Sequence, residues 1–283
     1  MVIRMLLLAA VLSAAPASVV AGPVEDLVAA ATQALDKGDK DNALALANKA
    51  VEAGPKDSQG YVARASVHHA RREYDKAVLD YGKVIELEPS LAIAYQRRGE
   101  EFFRLGKFKQ SVADFDKVIE LQPAQAPYHW QRGISLYYAG EFDRGVKQFE
   151  LHKTVNPDDV ENAVWHYLCV ARASGIEKAK KQLIPIQGDT RVPMMQVHAM
   201  FAGKATADDV MKAATAGEPG AVEKKQRLFY AHLYIGLFSE AAGQSAAAKE
   251  HILLAAEKYA DDDYMGDVAR VHAAILKQPA AAK

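Results

Sequence analysis

The sequence predicts an all-α chain of stacked helical hairpins, and three observations carry that prediction. Prolines recur at Pro55, Pro89, Pro123 and Pro157, each 34 residues after the last. Aromatic residues keep the same period twice, at Tyr81, Phe115 and Phe149 and at Tyr74, Phe108 and Phe142. Two further columns, the small residues Ala65, Gly99 and Gly133 and the arginines Arg64, Arg98 and Arg132, run in phase with them. Five columns sharing one period mark a repeat architecture, in which each unit buries its apolar face only by stacking on its neighbours.

The first element is of a different kind. Arg4 is the only charge before residue 22, and Met5–Leu12 is apolar. Small residues follow up to Ala21. This is the layout of a cleaved export signal, since the run is shorter than the ~20 apolar residues of a membrane span. Cuts after Ala17 or Ala21 satisfy the small-residue rule, and the cut after Ala21 leaves the first repeat intact. Removing residues 1–21 takes the net charge from -1 to -1 - 1 = -2. No cysteine lies near residue 21 to take a lipid, so the exported chain is expected free of a lipid anchor, in the periplasm or secreted.

Residues 22–157 then divide into four units, at about 24–57, 58–91, 92–125 and 126–159. In the third unit Tyr95, Gly99 and Phe102 lie four and three apart, on one helix face. Gly106 ends that helix, because glycine adopts the left-handed stop conformation at little cost. Ser111, Phe115 and Val118 form the matching face of the second helix, and Pro123 blocks its continuation. The fourth unit repeats the plan with Gly133, Leu136, Gly140, Phe142, Gly145 and Phe149. The first is atypical, with Lys40 and Ala47 in the aromatic columns, as a terminal, capping unit is expected to be.

Residues 160–283 read as a divergent helical region. Tyr167, Ala179 and Leu183 hold the phase until Pro185 breaks it. A helix begins at Thr206-Ala207-Asp208-Asp209, a capping-box start with Asp in place of Glu. Another spans roughly 221–242, and Gly236, Gly243, Ala248, Ile252 and Ala255 suggest one more degenerate hairpin. A last helix near 264–277 is expected to cover the open end of the stack.

At 34 residues per unit, with small, aromatic and proline positions in this order, Tyr95–Pro123 and His129–Pro157 resemble tetratricopeptide (TPR) repeats. That resemblance implies an α-solenoid, a right-handed superhelix whose first helices line a concave groove that binds peptides or proteins. Two stretches, Arg132–Gly140 and Val164–Ala171 with Phe201–Thr206, are similar to NlpI-type bacterial envelope proteins. Those combine TPR units with a divergent helical half and act as dimeric adaptors for envelope enzymes. The missing anchor cysteine departs from that pattern.

Composition narrows the function classes. The 283 residues are 50% apolar and 25% charged, which excludes a disordered chain. The 35 basic and 36 acidic residues are intermixed, so there is no electrostatic footprint for nucleic acid. Cys169, the single cysteine, has no internal disulfide partner and sits in an apolar run, where an inert thiol is expected. His68, His69 and Glu73 lack the spacing of a metal motif and read as surface residues. Asp261–Asp263 lacks the spacing of a calcium loop and reads as a solvated helix entry. No nucleophile motif or phosphate loop is present, so neither catalysis nor a cofactor or metal is expected.

Partner binding is expected on the groove face: Arg97, Glu100, Phe103 and Arg104 in the third unit, Trp130, Ile134, Tyr137 and Tyr138 in the fourth, and Trp165 and Arg172 beyond. Aromatics and arginines at helical spacing dominate binding hot spots; the same stripe also serves as core packing. In the first two units the corresponding positions, Val28, Thr32, Ala63 and Ser66, cannot form the lysine–asparagine clamp some TPR domains close on a C-terminal carboxylate. In-phase Arg64, Arg98 and Arg132 are expected to be structural, their stems covering helix contacts. Three readings stay open: an adaptor for protein or peptide partners, a self-associating scaffold such as a homodimer, and an enzyme with a site in residues 160–283.

Overall fold

The computed structural model describes residues 22–278; the expected export signal with its expected cleavage sites and the last five residues lie outside them. The described residues hold helices and no strand. Hairpins form from α1 (Pro23–Asp36) and α2 (Lys40–Ala53), α3 (Ser58–Ala70) and α4 (Tyr74–Leu87), and α5 (Ala92–Arg104) and α6 (Phe108–Leu121). A 3-10 segment, Pro123–Tyr128, precedes the hairpin of α7 (Trp130–Tyr138) and α8 (Phe142–Lys153). α9 (Val160–Ser174), α10 (Ile176–Gln182), α11 (Met194–Phe201) and α12 (Ala207–Thr215) follow. α13 (Ala221–Ala241) and α14 (Ser245–Leu254) make a last hairpin, and α15 (Tyr264–Lys277) closes the chain. Each helix through α9 packs on the one before it, and α1 also reaches α3, as a solenoid requires.

The hairpin geometry rests on a small residue facing a large one 16 positions later. A β-carbon on Gly99 would stand 2.7 Å from the Phe115 ring, and one on Gly133 2.6 Å from that of Phe149. Both rings are fully buried. The same offset joins Gly236 to Ile252, at 2.7 Å, so α13 and α14 repeat the hairpin plan. At the tight turns Gly38, Gly106 and Gly140 take positive φ. The equivalent position in the second unit is Arg72, at φ 59°. Left-handed backbone costs an L-residue about 1–2 kcal/mol, and its guanidinium pairs with Asp262, just before α15.

The in-phase arginines clasp one helix of a unit to the other. Arg64 donates Nε and Nη2 to Asp80 at 2.9 and 2.6 Å, and Arg98 does the same to Asp114 at 2.8 and 2.7 Å. Bidentate pairing of this kind adds geometric definition. Gln148 stands where the next aspartate would be, so Arg132 reaches back to Asp116 of α6 at 2.7 Å. Their role is structural, but through ion pairs as much as through the stems.

The N-terminal hairpins meet on alanines, Ala31, Ala34, Ala43, Ala47 and Ala63, with Val67. One larger core then runs from Phe103 to Ala273. Thr206 and Asp209 form the capping box read from sequence. The fourth unit begins its helix at Trp130, Pro123 and Pro127 holding the preceding residues in a 3-10 turn. One expectation needs correction. His68 is buried rather than at the surface, its Nδ1 2.7 Å from Glu73. The last helix packs on α14, in the final hairpin, and also reaches back to α5.

Candidate functional site

The face expected to receive a partner is built by α5, α7 and α9, and α15 sits on it. Arg104 is the centre of this contact. Its side chain is 7% exposed, and its Nε donates to Asp267 of α15 at 2.7 Å. Glu101 at 3.3 Å and Glu100 at 3.9 Å surround the same guanidinium. These carboxylates, with Asp267, hold it charged against the cost of burial. Tyr264 stacks on Phe103, centroids 5.3 Å apart, and meets Trp130 edge-on at 5.2 Å. Tyr138 and His272 Nδ1 share a hydrogen bond at 2.8 Å. Burial pushes the Tyr137 phenol up to about 12 and the Tyr138 phenol well above its ordinary value.

These positions correct the expectation that the stripe is exposed. Phe103, Ile134, Tyr137, Trp165 and Glu100 are buried, and Arg104 is enclosed by ion pairs. Trp130 and Tyr138 are half-buried under α15 and its neighbours. The physical reason is the return of α15, whose Tyr264, Met265, Asp267 and His272 supply contacts that an external ligand would otherwise supply. Arg97 and Arg172 stay exposed, the latter with its guanidinium 5.1 Å above the Phe142 ring. Asp261–Asp263 is the entry turn of α15: Asp263 caps it by accepting from the Gly266 N–H, and Asp261 and Asp262 pair with Lys225 and Arg72.

An open groove remains at the other end of the solenoid, over α1, α3 and the start of α5. Its volume is about 500 Å³. Val28, Leu35, Val62, Val67, Leu91 and Ile93 make its apolar walls, with Ser58, Gln59 and Glu88 at the rim. Val62 and Ile93 are 36% and 52% exposed although apolar. Thr32 and Ser66 turn their hydroxyls onto their own helix, donating to the Val28 and Val62 carbonyls at 3.0 Å. The floor therefore presents carbon rather than oxygen. Sequence reasoning reached Val28, Thr32, Ala63 and Ser66 only to exclude a carboxylate clamp; the small side chains at those positions were the signal for this groove.

Among the described residues no group of three or more His, Cys, Asp and Glu is placed to hold a metal ion, and no helix is long and apolar enough to cross a membrane. Cys169 is fully buried, and burial pushes its thiol far above the usual range.

Comparison with known proteins agrees with this architecture. Residues 28–91 and 92–125 each match a family model described as tetratricopeptide repeat. A search of curated proteins returns no match. Among solved structures, a tetratricopeptide repeat protein from Parabacteroides merdae superposes with a TM-score of 0.58 at 14% identity, covering 90% of this chain and 99% of that one. A MamA protein gives 0.54 at 16% identity, over 70% of this chain and 98% of its own. Residues 41 to the end of MamA from Desulfovibrio magneticus give 0.52 at 16%, over 57% and 91%. At these identities the likeness is one of fold.

Proposed function

Residues 28–125 being tetratricopeptide repeats, we propose that this chain is an exported interaction module that holds a polypeptide segment in the groove over α1, α3 and the start of α5. The observation that carries the reading is an apolar groove left open at one end of a solenoid whose other concave face is filled by its own last helix. Burying exposed apolar area such as Val62 and Ile93 against a partner is favourable at roughly 25 cal/mol per Å². The groove has no lysine on its walls, so it selects apolar side chains rather than a terminal carboxylate. The leader-like residues 1–21 support an envelope or secreted location, and the narrower likeness to NlpI-type adaptors is consistent with one. The role is that of an adaptor and not an enzyme, Arg97 and Arg172 being further contact points outside the groove.

The test is selection of peptides from a displayed library on the purified protein, followed by affinity measurement on Val62→Glu with Ile93→Glu. Both positions are at the surface, so circular dichroism should be unchanged. Selected peptides are expected to be apolar and to lose at least tenfold in affinity on the double variant. Peptides that bind both forms equally would move the site away from the groove. Light scattering on the same sample reads self-association, and a dimer dissolved by the double variant would make a second copy the occupant.

A further inference from the structure

A second cavity, of about 240 Å³, lies where α7, α8 and α9 meet the start of α15. Trp130, Ile134, Phe149, Trp165 and Met265 make its apolar walls. Its polar lining is lopsided. Asn162, 4% exposed, donates Nδ2 to the Phe149 carbonyl at 3.1 Å, and its buried Oδ1 has no partner. His152 Nδ1 lies 2.8 Å from the Pro127 carbonyl. A carbonyl only accepts, so Nδ1 carries a proton, and Nε2 lies 3.9 Å from Asp159 Oδ2. Asp159 and Glu161 add carboxylates. The one unspent donor is the buried Trp165 Nε1, on a side chain 1% exposed.

Charge has the same bias. Asp159, Glu161 and Asp189 all converge on one guanidinium, that of Arg191, at 2.7, 2.5 and 2.6 Å. Three carboxylates thus share one guanidinium beside two indole rings, and two of them, Asp159 and Glu161, line the cavity. Tyr234 gives its hydroxyl hydrogen to Glu161 at 2.5 Å, which adds a donor but no charge. Unpaired buried polar atoms each cost about 1–3 kcal/mol, so a ligand that completes them recovers that cost. The complementary group carries donors and positive charge at one end, an aliphatic stem for the aromatic walls, and an acceptor for the Trp165 N–H. Ammonium and guanidinium groups donate only, and both are attracted to indole faces.

We propose that this cavity is a binding site for one arginine or lysine residue of a partner polypeptide, the cationic head facing Asp159 and Glu161, the stem between the tryptophans and a peptide carbonyl on Trp165 Nε1. The exposed Asn156 marks the rim through which the side chain enters. The polypeptide source rests on the interaction-module reading; the residue type rests on the cavity alone.

The chain has two tryptophans, and both line this cavity, so intrinsic fluorescence reports on it without labelling. The purified protein is titrated with N-acetyl-arginine amide, N-acetyl-lysine amide, the uncharged N-acetyl-norleucine amide, and free arginine. The two cationic amides are expected to give a saturable emission change that weakens with salt, and norleucine amide none. Asp159→Asn removes one charge and keeps a residue able to cap α9; it should weaken the arginine amide by roughly tenfold. Equal response to norleucine amide, no saturable response to either cationic amide, or no effect of salt on wild-type binding each overturns the proposal, whatever the variant does. Free arginine binding as tightly as its capped amide overturns the polypeptide source. Failure here leaves the groove over α1 and α3 untouched, because the titrated residues belong to other hairpins.

Discussion

Replacing Asp267 by alanine tests whether α15 is seated as an integral part of the solenoid. Asp267 is 9% exposed, and it receives Arg104 Nε at 2.7 Å and Arg270 Nη1 at 3.0 Å. Removing one partner of a buried ion pair costs about 3–5 kcal/mol, because the other charge stays buried. Arg104 keeps Glu101 at 3.3 Å, so the expected cost is lower, about 2–3 kcal/mol. At ~2–4 °C per kcal/mol for a chain of this size, the melting temperature falls by about 4–12 °C. The assay is urea denaturation of the wild type, Asp267→Ala, Arg104→Met and the double variant. A coupling energy of about 2 kcal/mol is expected for this pair. The comparison is Lys277 with Glu257, both more than half exposed, where coupling below about 1 kcal/mol is expected. A coupling for Arg104 and Asp267 no larger than for the exposed pair would refute the seating of α15 on α5.

Gly133→Ala should destabilise by about 1–3 kcal/mol in thermal melts, since its β-carbon would meet the Phe149 ring at 2.6 Å, although alanine is the better helix former by ~1 kcal/mol. Burial pushes the His129 imidazole down to about 4, and both ring nitrogens lack partners. The unfolded chain therefore binds more protons below about pH 6.5, so stability is complete above that pH and falls as pH drops towards 4. His232 is pushed down to about 4 as well and has the same sign, so His129→Phe should remove part of the slope between those pH values, and an unchanged slope would count against this account. Cys169 should react with a thiol reagent at the rate of global unfolding, rising with urea in step with the loss of ellipticity; rapid native labelling would contradict its burial.

The periodic part of this fold was legible because each hairpin repeats the same local problem. Gly99 must face Phe115 and Gly133 must face Phe149, so the columns print the packing onto the sequence. The cap at Thr206 was legible for a similar reason, being a contact between residues three apart. The bounds of α15 could be read, but not where it goes: Arg104 and Asp267 are 163 residues apart, and no period links them. The same gap accounts for the candidate site. Trp130, Tyr137 and Tyr138 share the neighbourhood their spacing implied, yet whether a face is open depends on what the rest of the chain lays upon it. Composition of the groove itself was misleading in the opposite direction, since Thr32 and Ser66 read as polar while their hydroxyls are spent on their own helices.

The arginine clasps also set which pieces of this chain are portable. In the second and third units the clasp closes inside the unit, Arg64 on Asp80 and Arg98 on Asp114, so moving either hairpin keeps its own clasp intact. The fourth unit borrows Asp116 from the third, and Arg144 borrows it too. Recombination that parted those two hairpins would take Asp116 from two guanidiniums at once, leaving Arg132 with Gln148 and Arg144 with Glu141. Gain and loss of repeats should therefore have been easy on the N-terminal side of α5 and blocked between α6 and α7, making the third and fourth hairpins a single unit of inheritance.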